Sequence, residues 1–152
     1  MTGIRIRPYE PADRDRALAL AERLRIGVAP WRDPDAVREA VTGWVRDSVD
    51  RGEVLVAERD GRVDGLVTLG LRRHFTGDTD AYVGELVVDA AAERRGLGTL
   101  LVRAAEQWAR ERGLTRLTLE TGAANTTARA FYAALGYREE DVRLTKSLPV
   151  AS

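Results

Sequence analysis

The stretch Leu86-Val87-Val88-Asp89-Ala90-Ala91-Ala92-Glu93-Arg94-Arg95-Gly96-Leu97-Gly98-Thr99-Leu100-Leu101 holds the transition on which the fold turns. An apolar run ends a strand, a charged turn follows, and a helix opens at Gly96. Leu97, Leu100, Leu101, Ala104, Ala105 and Trp108 recur at helical spacing and predict one buried stripe through about Arg112. Gly113 stops that helix. Residues 114–121 then alternate as a second strand. Strand, helix and strand in succession predict parallel pairing through a right-handed crossover. The turn itself presents unpaired backbone N–H groups and the positive end of a helix dipole, which suits an anion. Gly96 and Gly98 would let an anion approach the backbone, and Arg94 and Arg95 would add charge-assisted hydrogen bonds. A tight turn whose glycines serve only packing also fits these residues.

Outward from that centre, the N-terminal side predicts a strand at residues 4–8 and a helix over 12–24. A proline-interrupted loop follows at 28–34, and a second helix, capped by Asp33, ends near Arg51-Gly52. Strands over 53–58 and 62–71 flank Asp60-Gly61, a hairpin signal. A polar loop at 72–79 leads into a third long strand, 81–89. On the C-terminal side, a short helix covers 126–135 and a last strand 142–148, with a tail at 149–152. The order is β-α-α-β-β-β-α-β-α-β: a single domain over residues 1–148, α/β in class, with a mixed sheet and helices on both faces.

Two known anion motifs fit the turn poorly. A Walker P-loop needs Gly-Lys-Ser/Thr, which is missing. A dinucleotide fingerprint would place a third glycine where Leu101 stands, and too little chain follows Glu120 to complete a doubly wound sheet.

A second block, Asn125-Thr126-Thr127-Ala128-Arg129-Ala130-Phe131-Tyr132-Ala133-Ala134-Leu135-Gly136-Tyr137, makes the reading specific. With the turn at Arg94–Thr99 it resembles the GNAT superfamily of N-acetyltransferases. There a (Gln/Arg)-x-x-Gly-x-(Gly/Ala) turn precedes an Asn-x-x-Ala-x-x-x-Tyr helix by about thirty residues. The resemblance implies acetyl-CoA as co-substrate. The backbone amides of Arg94, Arg95, Gly96, Leu97, Gly98 and Thr99 would hold its pyrophosphate, and the strand backbone at Leu86, Val87 and Val88 would pair with the pantetheine arm. Asn125 would contact the same arm, or cap its helix. The chain departs from the pattern at Glu93, where the family carries Gln or Arg. A carboxylate facing pyrophosphate would repel it, so Glu93 is expected to point away or be offset by Arg94 and Arg95.

The resemblance also implies direct transfer of an acetyl group to an amine. The amine must be neutral to attack, and a lysine-like amine costs about 4.6 kcal/mol to deprotonate at pH 7. Glu120, at the end of one of two strands expected to splay apart, is the first candidate base. Glu85, on the other, is the second, and a relayed water is the third. Tyr132 is the candidate acid toward the leaving sulfur, by donation or by hydrogen bonding alone. Substrate contacts are expected from Trp31, Arg32 and Trp44, and from Arg72, Arg73, His74 and Phe75. Trp31 and Phe75 would form an aromatic wall, and the arginines would receive a carboxylate. The acceptor is a small-molecule amine or a protein N-terminus. A catalytically silent acyl-CoA-binding module is the alternative.

Composition narrows the classes further. The 152 residues hold 24 Lys and Arg against 24 Asp and Glu, no Cys and one His. Balanced charge argues against a nucleic-acid partner. Without Cys there is no disulfide, thiolate metal site or thiol nucleophile, and no metal is expected. No apolar run approaches the ~18 residues of a membrane span, so a cytoplasmic protein is expected. A homodimer is implied by family resemblance only.

Overall fold

The computed structural model describes residues 3–51 and 53–151. The helix stop read at Gly52 and the end of the tail at Ser152 lie outside them. Five strands form one sheet in chain order: β1 (Ile4–Pro8), β2 (Val54–Arg59), β3 (Arg62–Arg73), β4 (Thr79–Val88) and β5 (Leu117–Leu119). Pairing is antiparallel from β1 to β4 and parallel between β4 and β5. Asp60 and Gly61, both at positive φ, turn β2 into β3. Four α-helices accompany the sheet: α1 (Arg14–Ala21), α2 (Pro34–Arg51), α3 (Leu97–Glu111) and α4 (Thr126–Ala134).

Strand alternation divides the core in two. On one face Ala17 and Leu20 of α1 and Val45 and Val49 of α2 meet Val54, Val56, Leu66 and Val87. On the other, Leu97, Leu101 and Ala105 of α3 meet Ala57, Val67, Leu69 and Val83. Val56 and Ala57, like Leu66 and Val67, are chain neighbours sent to opposite faces by the period of two. Helices cover both faces, so β3 is buried from Val63 to Leu69. The mixed α/β sheet expected from the sequence is the one observed.

Several boundaries differ. The first helix is interrupted, with one tight turn at Pro11–Asp13 and another at Glu22–Arg25 around α1. Asp13 is held by Arg7 and accepts the Glu10 N–H, which fixes the chain just before α1. The β3–β4 hairpin is longer than expected, because Arg72 and Arg73 pair with Asp80 and Thr79. Backbone pairing needs no apolar side chain, so hydropathy ended those strands early. On α3 the buried stripe includes Val102 and Ala109, whereas Leu100 is 39% exposed.

The expected last strand, 142–148, is absent. Residues 141–150 are all exposed and belong to no strand. Their alternating pattern supplies a side-chain face, but a strand also needs a backbone partner, and none of the described residues provides one.

Candidate active site

The site begins where the sheet comes apart. β4 and β5 pair only from Ala81–Leu117 to Val83–Leu119. Beyond that rung, Leu86, Val87 and Val88 remain paired with β3, and among the described residues no strand lies on their other side. The two strands therefore open a cleft, with the free edge of β4 as one wall.

A bulge sits at the mouth of this cleft. Val67 pairs with Leu86 and Leu69 with Val83, so Thr68 alone faces both Gly84 and Glu85. Two residues opposite one bend the strand and re-aim its side chains. The hydroxyl of buried Thr68 accepts the Glu85 N–H at 2.8 Å, satisfying an amide the ladder leaves over. A Cβ on residue 84 would lie 2.7 Å from that same oxygen, so the bulge requires Gly84. The sequence reading missed this bulge, although a glycine inside a strand is its usual signal.

The two candidate bases now differ sharply. Burial pushes the Glu85 carboxyl up to about 7, and among the described residues no cation pairs with it. Tyr132 is pushed up to about 12, first by burial and then by the charge of Glu85. The structure thus brings Glu85 and Tyr132 into one electrostatic environment. Tyr132 also packs edge-on against Phe131 and Tyr137, at ring separations of 5.1 and 5.8 Å. Glu120 is exposed and forms an ion pair with Arg72, whose guanidinium also lies 4.5 Å from the Tyr82 ring centre. The cation neutralises the carboxylate that the sequence reading put first.

The strand-to-helix turn has the form expected of an anion site. Gly96, at φ 80°, precedes α3 in the left-handed region, where a Cβ would strain the backbone, and no side chain caps the helix. The first N–H groups of α3, those of Leu97, Gly98 and Thr99, are left for an external acceptor. Arg94 also has positive φ, at 64°. The turn is anchored from behind. Arg16 and the Ala91 N–H hold the Asp89 carboxyl below the usual carboxylate range. Glu93 is drawn into an ion pair with Arg23, which offsets the repulsion its charge would offer an anion. Gly98 has a packing role too, since a Cβ there would lie 3.3 Å from Phe131.

Asn125 caps α4: its Oδ1 accepts the Ala128 N–H at 3.1 Å, and its Nδ2 donates to the Ile26 carbonyl at 3.5 Å. Ile26 belongs to the loop between α1 and α2. That loop presses on the β5–α4 connection so closely that a Cβ on Gly122 would fall 2.0 Å from the Gly27 carbonyl oxygen.

The loop residues do not assemble as expected. Trp31 lies in the loop that meets the end of β5, whereas Phe75 lies in the β3–β4 loop, whose Asp78 pairs with Arg116 before the start of β5. The two loops meet different ends of that strand, since Gly27 touches Gly122 after it and Asp78 pairs with Arg116 before it. Phe75 is 91% exposed and stacks on His74. Arg72 already has a carboxylate partner in Glu120. Trp44 stands exposed on α2. Among the described residues, no group of His, Asp or Glu is arranged to hold a metal, and no helix is long and apolar enough to cross a membrane.

Comparison with known proteins bears on the family and the fold. The family model "Acetyltransferase (GNAT) family" matches residues 16–137. An aminoglycoside N(6')-acetyltransferase type 1 of Stenotrophomonas maltophilia is 30% identical over 141 residues, covering 90% of this chain and 87% of that protein. One from Klebsiella aerogenes is 34% identical over 84 residues, 53% of this chain and 55% of that protein. Of another matched relative the chain spans only 30%. Among solved structures, an aminoglycoside N-acetyltransferase in complex with CoA superposes with a TM-score of 0.72 at 18% identity, over 97% of this chain and 96% of that one. The chain belongs to the GNAT acetyltransferase family.

Proposed function

We propose that this protein transfers an acetyl group from acetyl-CoA to a primary amine, with Glu85 as general base and Tyr132 as donor to the departing sulfur. The observation that carries the reading is the end of β4–β5 pairing at Val83–Leu119. It leaves a free strand edge, an unpaired carboxylate and a phenol at one opening. The edge at Leu86, Val87 and Val88 suits an extended amide-bearing arm by strand addition. The amides of Arg94–Thr99, with both arginines, suit a pyrophosphate. Asn125 serves by capping the helix that carries Tyr132.

When bound, acetyl-CoA supplies the thioester: the amine nitrogen forms a bond to the acetyl carbon, the C–S bond breaks, and a thiolate departs. Glu85 takes the amine proton. With its carboxyl near pH 7, accepting a proton from an alkylammonium of pKa about 10.4 is uphill by about 5 kcal/mol, against about 8 for an ordinary carboxylate. Tyr132, raised to about 12, would lose about 5 kcal/mol by handing its proton to a thiolate of pKa about 8.5. Its role is therefore to hydrogen-bond the developing sulfur charge. Burial is the main cause of the raised Tyr132 and stays in place, but protonation of Glu85 removes the negative charge that adds to it, so the base's own action makes the phenol a somewhat better donor.

The relatives named as aminoglycoside acetyltransferases make small polyamine acceptors the first class to screen; protein N-termini are the second. The test is an amine panel with acetyl-CoA, reading released thiol, beside melting curves with CoA and with NAD. Acceptor-dependent release that falls strongly in Tyr132→Phe is expected. Stabilisation by CoA without turnover on any amine would leave a silent acyl-CoA-binding module instead. Stabilisation by NAD and not CoA would overturn the reading.

A further inference from the structure

A cavity of about 150 Å³ lies where β4 and β5 begin, lined by His74, Thr76, Asp78, Asp80, Arg116 and Glu140. Asp80 stands near the start of β4, opposite Arg72, and the Ala81 N–H bonds the Arg116 carbonyl just ahead of β5. Glu85 lies past the last rung of the same two strands, at Val83–Leu119. The cavity and the cleft thus stand at different ends of the β4–β5 pairing.

Asp80 is only 5% exposed, yet among the described residues its carboxylate has no hydrogen bond and no ion pair. The little surface it keeps faces the cavity. A carboxylate taken out of water without a partner is costly, and buried charges are as a rule paired. The cations beside it are engaged elsewhere. Arg116 reaches Asp78 at 3.6 Å, and Arg72 pairs with Glu120.

The rim is shaped by the β3–β4 loop. The Asp78 carboxylate accepts the Thr76 hydroxyl at 3.1 Å, and the Asp78 carbonyl accepts the His74 N–H at 2.8 Å. His74 Nδ1 accepts the Thr76 N–H at 3.2 Å, which leaves Nε2 toward Glu140, at 3.4 Å. With the imidazole neutral, three carboxylates face one guanidinium, so the lining carries excess negative charge. Those carboxylates do not converge as a metal ion requires. The complementary ligand is therefore an extended cation. The volume equals that of about five waters in the liquid, room for a short diamine.

We propose that this cavity binds a small organic dication, with one ammonium on Asp80 and the other at the rim with Asp78 and Glu140. An ammonium brings three donors and no acceptor, and its attraction is strongest at Asp80, where water is scarce. Bound there, the ligand ties the β3–β4 loop to the start of β5 and to Glu140 after α4. The site needs neither Glu85 nor acetyl-CoA, so it stands apart from the acetyl-transfer reading.

The test is calorimetric titration of 1,4-diaminobutane, without acetyl-CoA and at constant ionic strength, into the intact chain, Asp80→Asn and Glu85→Gln. We expect saturable binding to the intact chain and to Glu85→Gln, and an affinity about tenfold or more weaker in Asp80→Asn. The diamine should raise the melting temperature of the intact chain and not that of Asp80→Asn. Should Asp80→Asn not fold, Glu140→Gln at the exposed rim decides: weakened binding supports the site, and unchanged binding overturns it. Binding kept in Asp80→Asn and lost in Glu85→Gln would assign the diamine to the cleft and overturn the proposal. No binding to the intact chain at millimolar diamine would overturn it too, as would stabilisation by magnesium chloride that the diamine does not reproduce.

Discussion

The Thr68 hydroxyl accepts the Glu85 N–H at 2.8 Å across the bulge in β4, so one buried oxygen holds the strand distortion that carries the candidate base. Gly84 leaves the room for it. The candidate base is therefore held through its own backbone N–H by a side chain on the neighbouring strand.

Thr68→Val keeps the shape and removes the acceptor. The Glu85 amide is then left without a partner, and we expect a loss of about 1–3 kcal/mol in denaturant unfolding. We also expect kcat to fall about tenfold or more with little change in KM for acetyl-CoA, because the loss is in orientation. Thr68→Ser, which keeps the oxygen, should restore both. A Val variant with normal kcat would remove Thr68 from the positioning role.

Glu85→Gln and Glu120→Gln should separate the two carboxylates. With a base titrating at about 7, activity falls as pH drops below neutrality and the carboxylate protonates. Glu85→Gln should lower kcat/KM by about 10²–10⁴ and abolish that acidic limb. Glu120→Gln should leave the limb in place, since its carboxylate is already committed to Arg72. The reverse pattern in the pH–rate profiles would return the base role to Glu120.

Glu85 should also shape stability against pH. Its folded pKa of about 7 lies above its ordinary 4.5, so the folded state binds more protons between these values. Stability therefore falls as pH rises through that window and levels off above it. Allowing for partial hydration, the loss is about 2 kcal/mol. Glu85→Gln should remove this slope and leave the protein more stable than wild type at pH 8, though inactive. Chemical denaturation at pH 5 and pH 8 tests this directly.

Arg7 and Asp13 should govern the acid side. Two short hydrogen bonds from Arg7, at 2.8 and 3.0 Å, hold the Asp13 carboxyl below its ordinary range. The stabilisation is complete above the unfolded pKa and is lost as pH falls through the depressed one. Arg7→Met leaves a nearly buried carboxylate with its main partner gone, and should cost about 3 kcal/mol at pH 7. Its acid-unfolding midpoint should move to higher pH, as followed by circular dichroism.

Much of the fold was legible along the chain. The strands on either side of Asp60-Gly61, that turn itself and the stripe at Leu97, Leu101 and Ala105 are local signals, and each appears where expected. The strand-to-helix turn was legible for the same reason: Gly96 is needed by backbone conformation, a property of one residue. Asp33 as a cap, and Tyr132 on the helix after Asn125, were equally local.

The site's chemistry was not. Sequence ranked Glu120 above Glu85 from its place at the end of a strand expected to splay and from family resemblance. The choice depends on Arg72, 48 residues from Glu120, and on the burial of Glu85 beside Tyr132. The partner of Glu93 is Arg23, 70 residues away, beyond the reach of any local pattern. The strand pattern at 142–148 was read correctly as a pattern and wrongly as a paired strand, because periodicity says nothing about which backbone lies alongside.

By itself the sequence determined the mixed sheet, the order of its elements as far as α4 and the strand-to-helix turn at Gly96. Those follow from side-chain period and backbone preference, which act over a few residues. Only the tertiary structure decided where β4 and β5 part, which carboxylate stays unpaired, and that residues 142–150 find no cover in their own chain. Those depend on charge, burial and hydrogen-bond partners brought together from distant parts of the chain.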